Sequence, residues 1–129
     1  MRVLVTGSLG YIGTVLVPML LKEGHDVIGM DTDYYSRCTF TGAPVDVPTL
    51  KMDVRDAPNT AVRGVDAIIH LAGLSNDPLG DYNPNLTDDI NSQASTRLAK
   101  LAKQAGVQRF LFASSCGNYG ASGDQFLTE

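Results

Sequence analysis

Three glycines, Gly7, Gly10 and Gly13, lie in the stretch Thr6–Gly13 (TGSLGYIG) between two segments of opposite periodicity. Before them, Arg2–Thr6 (RVLVT) is short, rich in β-branched residues and stopped by glycine, the pattern of a buried parallel strand. After them, Tyr11–Glu23 sets Ile12, Val15, Leu16, Met19 and Leu20 at helical spacing and ends at Gly24, a C-capping position. Pro18 lacks a backbone donor and predicts a kink in this helix, not a break. His25–Met30 (HDVIGM) reads as a second strand closed by Asp31. Strand, glycine turn, helix and strand with short connections require a right-handed parallel crossover.

The rest of the chain continues the alternation. Thr32–Pro48 has no sustained period and reads as a long surface loop. Thr49–Val54 (TLKMDV) is a third, weaker strand leading to Asp53, with a short helix around Pro58–Val62 behind it. Asp66–Gly73 (DAIIHLAG) is an interior strand, and Leu74–Asn85 (LSNDPLGDYNPN) is rich in turn formers and reads as a loop. Thr87–Ala105 predicts the longest helix, with Ile90, Ala94, Leu98, Leu101, Ala102 and Ala105 on one face and Gly106 at its end. Arg109–Ser115 (RFLFASS) is the fifth strand. The order specifies an α/β fold, a Rossmann-like doubly wound parallel sheet of about five strands in the order 3-2-1-4-5. At 129 residues the chain forms a single domain.

Composition removes several functions. A formal net charge of -4, with no basic stripe, argues against a nucleic-acid partner. The longest apolar run, Tyr11–Leu21, is interrupted by Gly13, Thr14 and Pro18 and cannot span a bilayer. The opening residues are too short for the apolar core of a signal peptide. Cys38 and Cys116 have no ligand spacing and with only His25 and His70 give no metal site, so the expected setting is the reduced cytoplasm.

In doubly wound sheets, ligands collect at the carboxyl ends of the strands. A diphosphate needs unpaired N–H groups at a helix N-terminus, and the spacing of Gly7, Gly10 and Gly13 between strand and helix suits such a cradle. Asp31, at the end of the second strand, can accept hydrogen bonds from both ribose hydroxyls and would repel a 2′-phosphate, favouring NAD over NADP. Taken alone it also reads as a solvated turn carboxylate, and Arg37 lies near enough in sequence to soften the preference. Asp53 could meet an adenine amino group or be an ordinary strand-end aspartate. Leu71, Ala72 and Gly73 would let a flat cofactor lie over the fourth strand. His70, inside an apolar strand, reads as a hydrogen-bonded structural histidine. Ser114 and Ser115 put hydroxyls beside the central crevice, where a serine needs a partner base to assist proton transfer and otherwise satisfies backbone. No G-x-S-x-G elbow supports a hydrolase.

TGSLGYIG, Asp31 after HDVIGM, DVRD at Asp53–Asp56, IHLAG, Asn91 and FASSCGNYG together resemble the extended short-chain dehydrogenase/reductases, the family of NAD-dependent epimerases and dehydratases. The resemblance implies that Gly7, Gly10, Tyr11, Ile12 and Gly13 bind the cofactor diphosphate and Asp31 its adenosine ribose. It implies that Asp53 and Val54 border the adenine, and that Leu71, Ala72, Gly73 and Asn91 line the nicotinamide side. Ser115, four residues before Tyr119, matches the family's catalytic hydroxyl; Cys116, Gly117 and Asn118 depart from its usual pattern. The family also uses a Tyr-x-x-x-Lys pair, and no tyrosine here has a lysine four residues on. The resemblance therefore implies residues 1–129 as the N-terminal, NAD-binding part of a nucleotide-sugar epimerase, dehydratase or reductase, homodimeric when full length, with the C-terminal substrate region absent. The alternative is a non-catalytic dinucleotide-binding module.

Overall fold

Val3, Leu4, Val5 and Thr6 are all buried, as a strand covered on both faces must be. The structure, a computed structural model, describes residues 1–36, 38, 42–75 and 77–115. Strand β1 (Arg2–Thr6) is central, and β2 (Asp26–Asp31), β3 (Thr49–Lys51), β4 (Ala67–His70) and β5 (Arg109–Phe112) complete a parallel sheet in the order β3-β2-β1-β4-β5. In the register Thr6 stands between Met30 and His70, which aligns the carboxyl ends of the three central strands.

Alternation along the strands divides the core in two. Val3, Val5, Val27 and Ala67 point to one face and pack with Val17 of α1 (Gly13–Lys22). Leu4, Met30 and Ile68 point to the other, against Ala94, Leu98 and Ala102 of the long helical segment and Val54, Val62 and Val65 of the β3–β4 connection. The expected strand order and the two-sided covering are thus both present.

Several boundaries differ from the sequence reading, each for a local reason. Helix α1 starts at Gly13 instead of Tyr11 and runs through Pro18 without a break. At its end the Gly24 N–H bonds to the Leu21 carbonyl and the His25 N–H to that of Leu20, both at 3.0 Å. The third strand stops at Lys51 because Asp53 caps a 3-10 turn, Val54–Asp56, and a second such turn, Asn59–Val62, stands where a short helix is expected.

The stretch expected to be a loop contains α2 (Asp77–Tyr82) and the start of α3 (Pro84–Asp88), since Asn83 caps α3 through its side chain and Pro84 fits the first helical turn. The long helix is not uniform either: α3 passes through a π-helical turn, Asp89–Ala94, into α4 (Ser95–Gln104). Among the described residues no helix is long and apolar enough to cross a membrane. Arg37 and residues 116–129, including Cys116, Gly117, Asn118 and Tyr119, lie outside the described residues.

One buried group stands against the packing. Ser8, 2% exposed, lies against Gly29 of β2, and its Oγ has no hydrogen-bond partner among the described residues. A buried hydroxyl left unsatisfied costs about 1–3 kcal/mol. Ser8→Ala should therefore raise the unfolding free energy by about 1 kcal/mol in urea titrations; a loss of stability would show that the hydroxyl is satisfied in solution.

Candidate functional site

The end of β1 is where the candidate residues converge. Gly7 turns the chain with φ 71°, and a Cβ there would meet the Ala72 nitrogen at 2.9 Å and the Leu71 carbonyl carbon at 3.0 Å. A side chain at Gly7 would therefore push β1 and β4 apart. The Gly7 N–H bonds to the Met30 carbonyl (2.8 Å) and the Leu71 N–H to that of Thr6 (3.1 Å), so the loop is tied to strands on both sides. Gly13 lies so close to the Gly7 and Ser8 carbonyls that a Cβ would overlap them, which sets the start of α1 directly on the loop.

That start is bare. Ile12, at the N-cap position, makes no side-chain cap, and the first turn of α1 holds no acidic residue. The Gly10 N–H folds back on the Gly7 carbonyl (3.1 Å) and the Thr14 N–H on that of Gly10 (3.0 Å), whereas the N–H groups of Tyr11 and Ile12 meet no acceptor among the described residues. Tyr11 is 94% exposed. An uncapped helix end with open donors, a positive dipole and no competing carboxylate is the form of an anion site.

Asp31 sits on the other side of the loop. Its Oδ2 accepts from the Leu9 N–H at 2.9 Å and its Oδ1 from the Asp33 N–H at 2.8 Å, which fixes the carboxylate while leaving lone pairs on both oxygens. Asp33 itself takes φ 61°, and its Oδ2 pairs with Lys51 Nζ at 3.1 Å. The sequence reading singled out neither residue; a non-glycine turn at positive φ leaves little signature in one sequence.

Asp53 is brought to the same sheet end but past β3. Its carboxylate accepts from Arg55 three times: from the backbone N–H (2.8 Å), from Nε (3.0 Å) and from Nη2 (2.8 Å). The side-chain bonds to Arg55 hold its pKa below the usual carboxylate range. The side chain of Val54 is buried in the core, and its carbonyl accepts from the Ala57 N–H at 3.3 Å. Arg97 of α4 donates to the carbonyls of Arg55 (2.6 Å) and Ala57 (2.7 Å) and so anchors this turn.

Beyond β4, Asn91 clamps the chain. Its Oδ1 accepts from the Leu74 N–H at 2.8 Å and its Nδ2 donates to the Leu74 carbonyl at 2.9 Å. Asn91 lies in the π-helical turn, and its Oδ1 would be 3.1 Å from a Cβ on Gly73. The clamp sets the path of Leu71–Gly73 and explains a polar residue on the apolar face of a helix. Ser115 is exposed past β5 and makes an interaction within the structure.

His70 is the structural residue its strand position implies. It is 1% exposed, with Nδ1 at 2.6 Å from Thr6 Oγ1 and Nε2 at 2.7 Å from Ser95 Oγ. Thr6 Oγ1 also accepts from the Ala72 N–H at 3.3 Å. Two neutral hydroxyls satisfy a neutral ring but supply no counter-charge, so burial lowers its pKa to about 4. Among the described residues no three His, Cys, Asp or Glu side chains group as a metal site.

The profile of the NAD dependent epimerase/dehydratase family matches residues 3–129. A UDP-glucose 4-epimerase from Neisseria meningitidis serogroup C is 34% identical over 139 residues, covering 99% of this chain and 40% of that protein. A 3-beta-hydroxysteroid dehydrogenase from Mycolicibacterium neoaurum is 34% identical over 127 residues, 88% of this chain and 32% of that one. The solved complex of Thermus thermophilus UDP-glucose 4-epimerase with NAD superposes with a TM-score of 0.82 at 29% identity, covering 100% of this chain and 42% of that one. The chain thus spans about two fifths of the length of these two epimerases.

The low pKa of His70 has a consequence for stability. The unfolded histidine takes up a proton near pH 6.5 and the folded one only near pH 4, so stability is complete above pH 6.5 and falls as pH drops toward 4. The loss from this residue is at most about 3 kcal/mol. His70→Gln should flatten the stability profile between these two values in urea titrations; an unchanged slope would remove His70 as its source.

Proposed function

Because the chain belongs to the NAD dependent epimerase/dehydratase family, we propose that it is the NAD-binding portion of a nucleotide-sugar epimerase, dehydratase or reductase that works by hydride transfer. The observation that carries the reading is the bare N-terminus of α1 beside the fixed Asp31 carboxylate. One end suits a diphosphate and the other a ribose diol, in the order a dinucleotide presents them. A bound NAD supplies the hydride acceptor or donor.

Each candidate residue then has a task its surroundings permit. Gly7, Gly10 and Gly13 keep side chains out of the cradle, and Tyr11 and Ile12 offer their N–H groups to phosphate oxygens. Asp31 accepts from the adenosine ribose. Asp53, fixed by Arg55, and the Val54 backbone border the adenine. Leu71, Ala72 and Gly73, held by the Asn91 clamp, line the nicotinamide side.

Ser115 is the catalytic hydroxyl, hydrogen-bonding the substrate oxygen during proton transfer in the full-length enzyme. A sugar nucleotide is favoured as substrate by the UDP-glucose 4-epimerases among the relatives, alongside which a steroid dehydrogenase also matches 88% of this chain. The proposed setting is a cytoplasmic homodimer.

Calorimetric titration tests the reading. NAD should bind the wild-type chain more tightly than NADP, and absence of binding by the folded chain would overturn the proposal. Asp31→Ala removes charge-assisted bonds worth about 1.5–3 kcal/mol, so NAD affinity should fall about 10- to 100-fold and the gap to NADP should narrow. Full-length protein that binds NAD yet turns over no nucleotide sugar would establish a non-catalytic dinucleotide-binding module instead.

A further inference from the structure

We propose that the Asp33–Lys51 ion pair is a second determinant of cofactor choice, in which Asp33 masks a cation that would otherwise attract a 2′-phosphate. This inference rests on the NAD-binding reading above and adds residues to it. A cavity of about 380 Å³ opens beside Asp31, and its walls include Leu9 and Asp33, the two residues whose N–H groups hold the Asp31 carboxylate. Lys51 also lines it and stands opposite Asp31 in the β2–β3 register. A group attached to the ribose next to Asp31 therefore extends toward Lys51.

The charges among the described lining residues are Asp33, Asp46 and Lys51, and Asp31 adjoins the wall through its bonds to the Leu9 and Asp33 N–H groups. Lys51 is the only cation among the described lining residues, and its Nζ lies 3.1 Å from Asp33 Oδ2. The lysine side chain is 72% exposed, and ion pairs of that kind add little to stability. The pair's main effect is on an approaching charge. With Lys51 neutralised, a phosphate meets an excess of carboxylate; with Asp33 neutral, it meets a free ammonium.

The backbone supports a dedicated role for Asp33. Its φ of 61° is uncommon for a residue with a side chain, and the Asp31 carboxylate holds it there through the Asp33 N–H. The turn that fixes Asp31 thus also aims Asp33 at Lys51. Two carboxylates and one ammonium form a single unit at the adenosine end.

The test is titration of NAD and NADP into wild type, Asp33→Asn, Lys51→Met and the double variant. Asparagine adopts the same backbone region and keeps the turn, while Lys51→Met leaves the turn untouched. Removing one unit charge at contact range in a water-like dielectric should bring NADP about tenfold closer to NAD in Asp33→Asn. The double variant should lose most of that gain, because Lys51 is its source, and Lys51→Met alone should bring NADP no closer to NAD than in wild type. If NAD binds throughout and Asp33→Asn leaves the NAD/NADP ratio at its wild-type value, the ion pair is not a determinant and the cofactor reading stands. If the double variant keeps the full gain, masking of Lys51 is wrong. Failure of wild type to bind NAD would sink the underlying reading as well.

Discussion

The junction of Thr6 and Gly7 sets the geometry of everything around it. Within two residues the chain bonds to β2 through the Gly7 N–H, to β4 through the Thr6 carbonyl, and to His70 and Ala72 through the Thr6 hydroxyl. The missing side chain of Gly7 lets the end of β4 approach to van der Waals contact, and the missing one of Gly13 brings α1 onto the same loop. A β-carbon at either position would displace a strand or a helix, and interiors at close packing pass such shifts on. The position of Asp31 relative to the helix N-terminus therefore follows from backbone contacts, to which the Asp31 carboxylate adds its bond to the Leu9 N–H.

A second tier of polar contacts holds the connections that follow the strands. His70 bridges Thr6 to Ser95, joining the sheet end to α4 through a ring kept neutral by burial. Four residues before Ser95, Asn91 grips the Leu74 backbone, and two residues after it Arg97 grips the turn that carries Asp53. One helical segment thus fixes both the β4 exit and the β3 exit. The π-helical turn rotates Asn91 out of simple register with α4, and such turns concentrate where a helix must direct a polar group.

The fold was largely legible because each central strand is bounded by glycine or aspartate and each long helix ends at glycine, signals that need no tertiary information. Strand order and the two core faces follow from those elements. The interrupted helix did not show, since Thr87–Ala105 has helical periodicity throughout and the π-turn coincides with a tertiary contact, the grip of Asn91 on the Leu74 backbone. Helix α2 was hidden because its residues, with Pro78, Gly80 and Asp81, are those of turns. The glycines and Asp31 were readable as site candidates from position alone. Asp33 and Lys51 were not, because they are 18 residues apart and meet only through the β2–β3 pairing.

The two ends of the candidate site recognise by different physics, and the division has a reason. At the α1 end the donors are backbone N–H groups with no charged side chain in the first turn, so an anion is met by fixed dipoles whose orientation costs nothing on binding. A lysine or arginine there would add attraction but also rotamer entropy to be lost. At the Asp31 end the group is a carboxylate held by two backbone N–H groups, which rewards a neutral donor and repels a second anion. For the ligand proposed, this polarity fixes direction: reversed, the phosphates would face Asp31 and Asp33 while the ribose hydroxyls competed with water for the helix end. Discrimination therefore begins with orientation, before any base or sugar contact is made, and it is built from a strand end, a glycine turn and two aspartates.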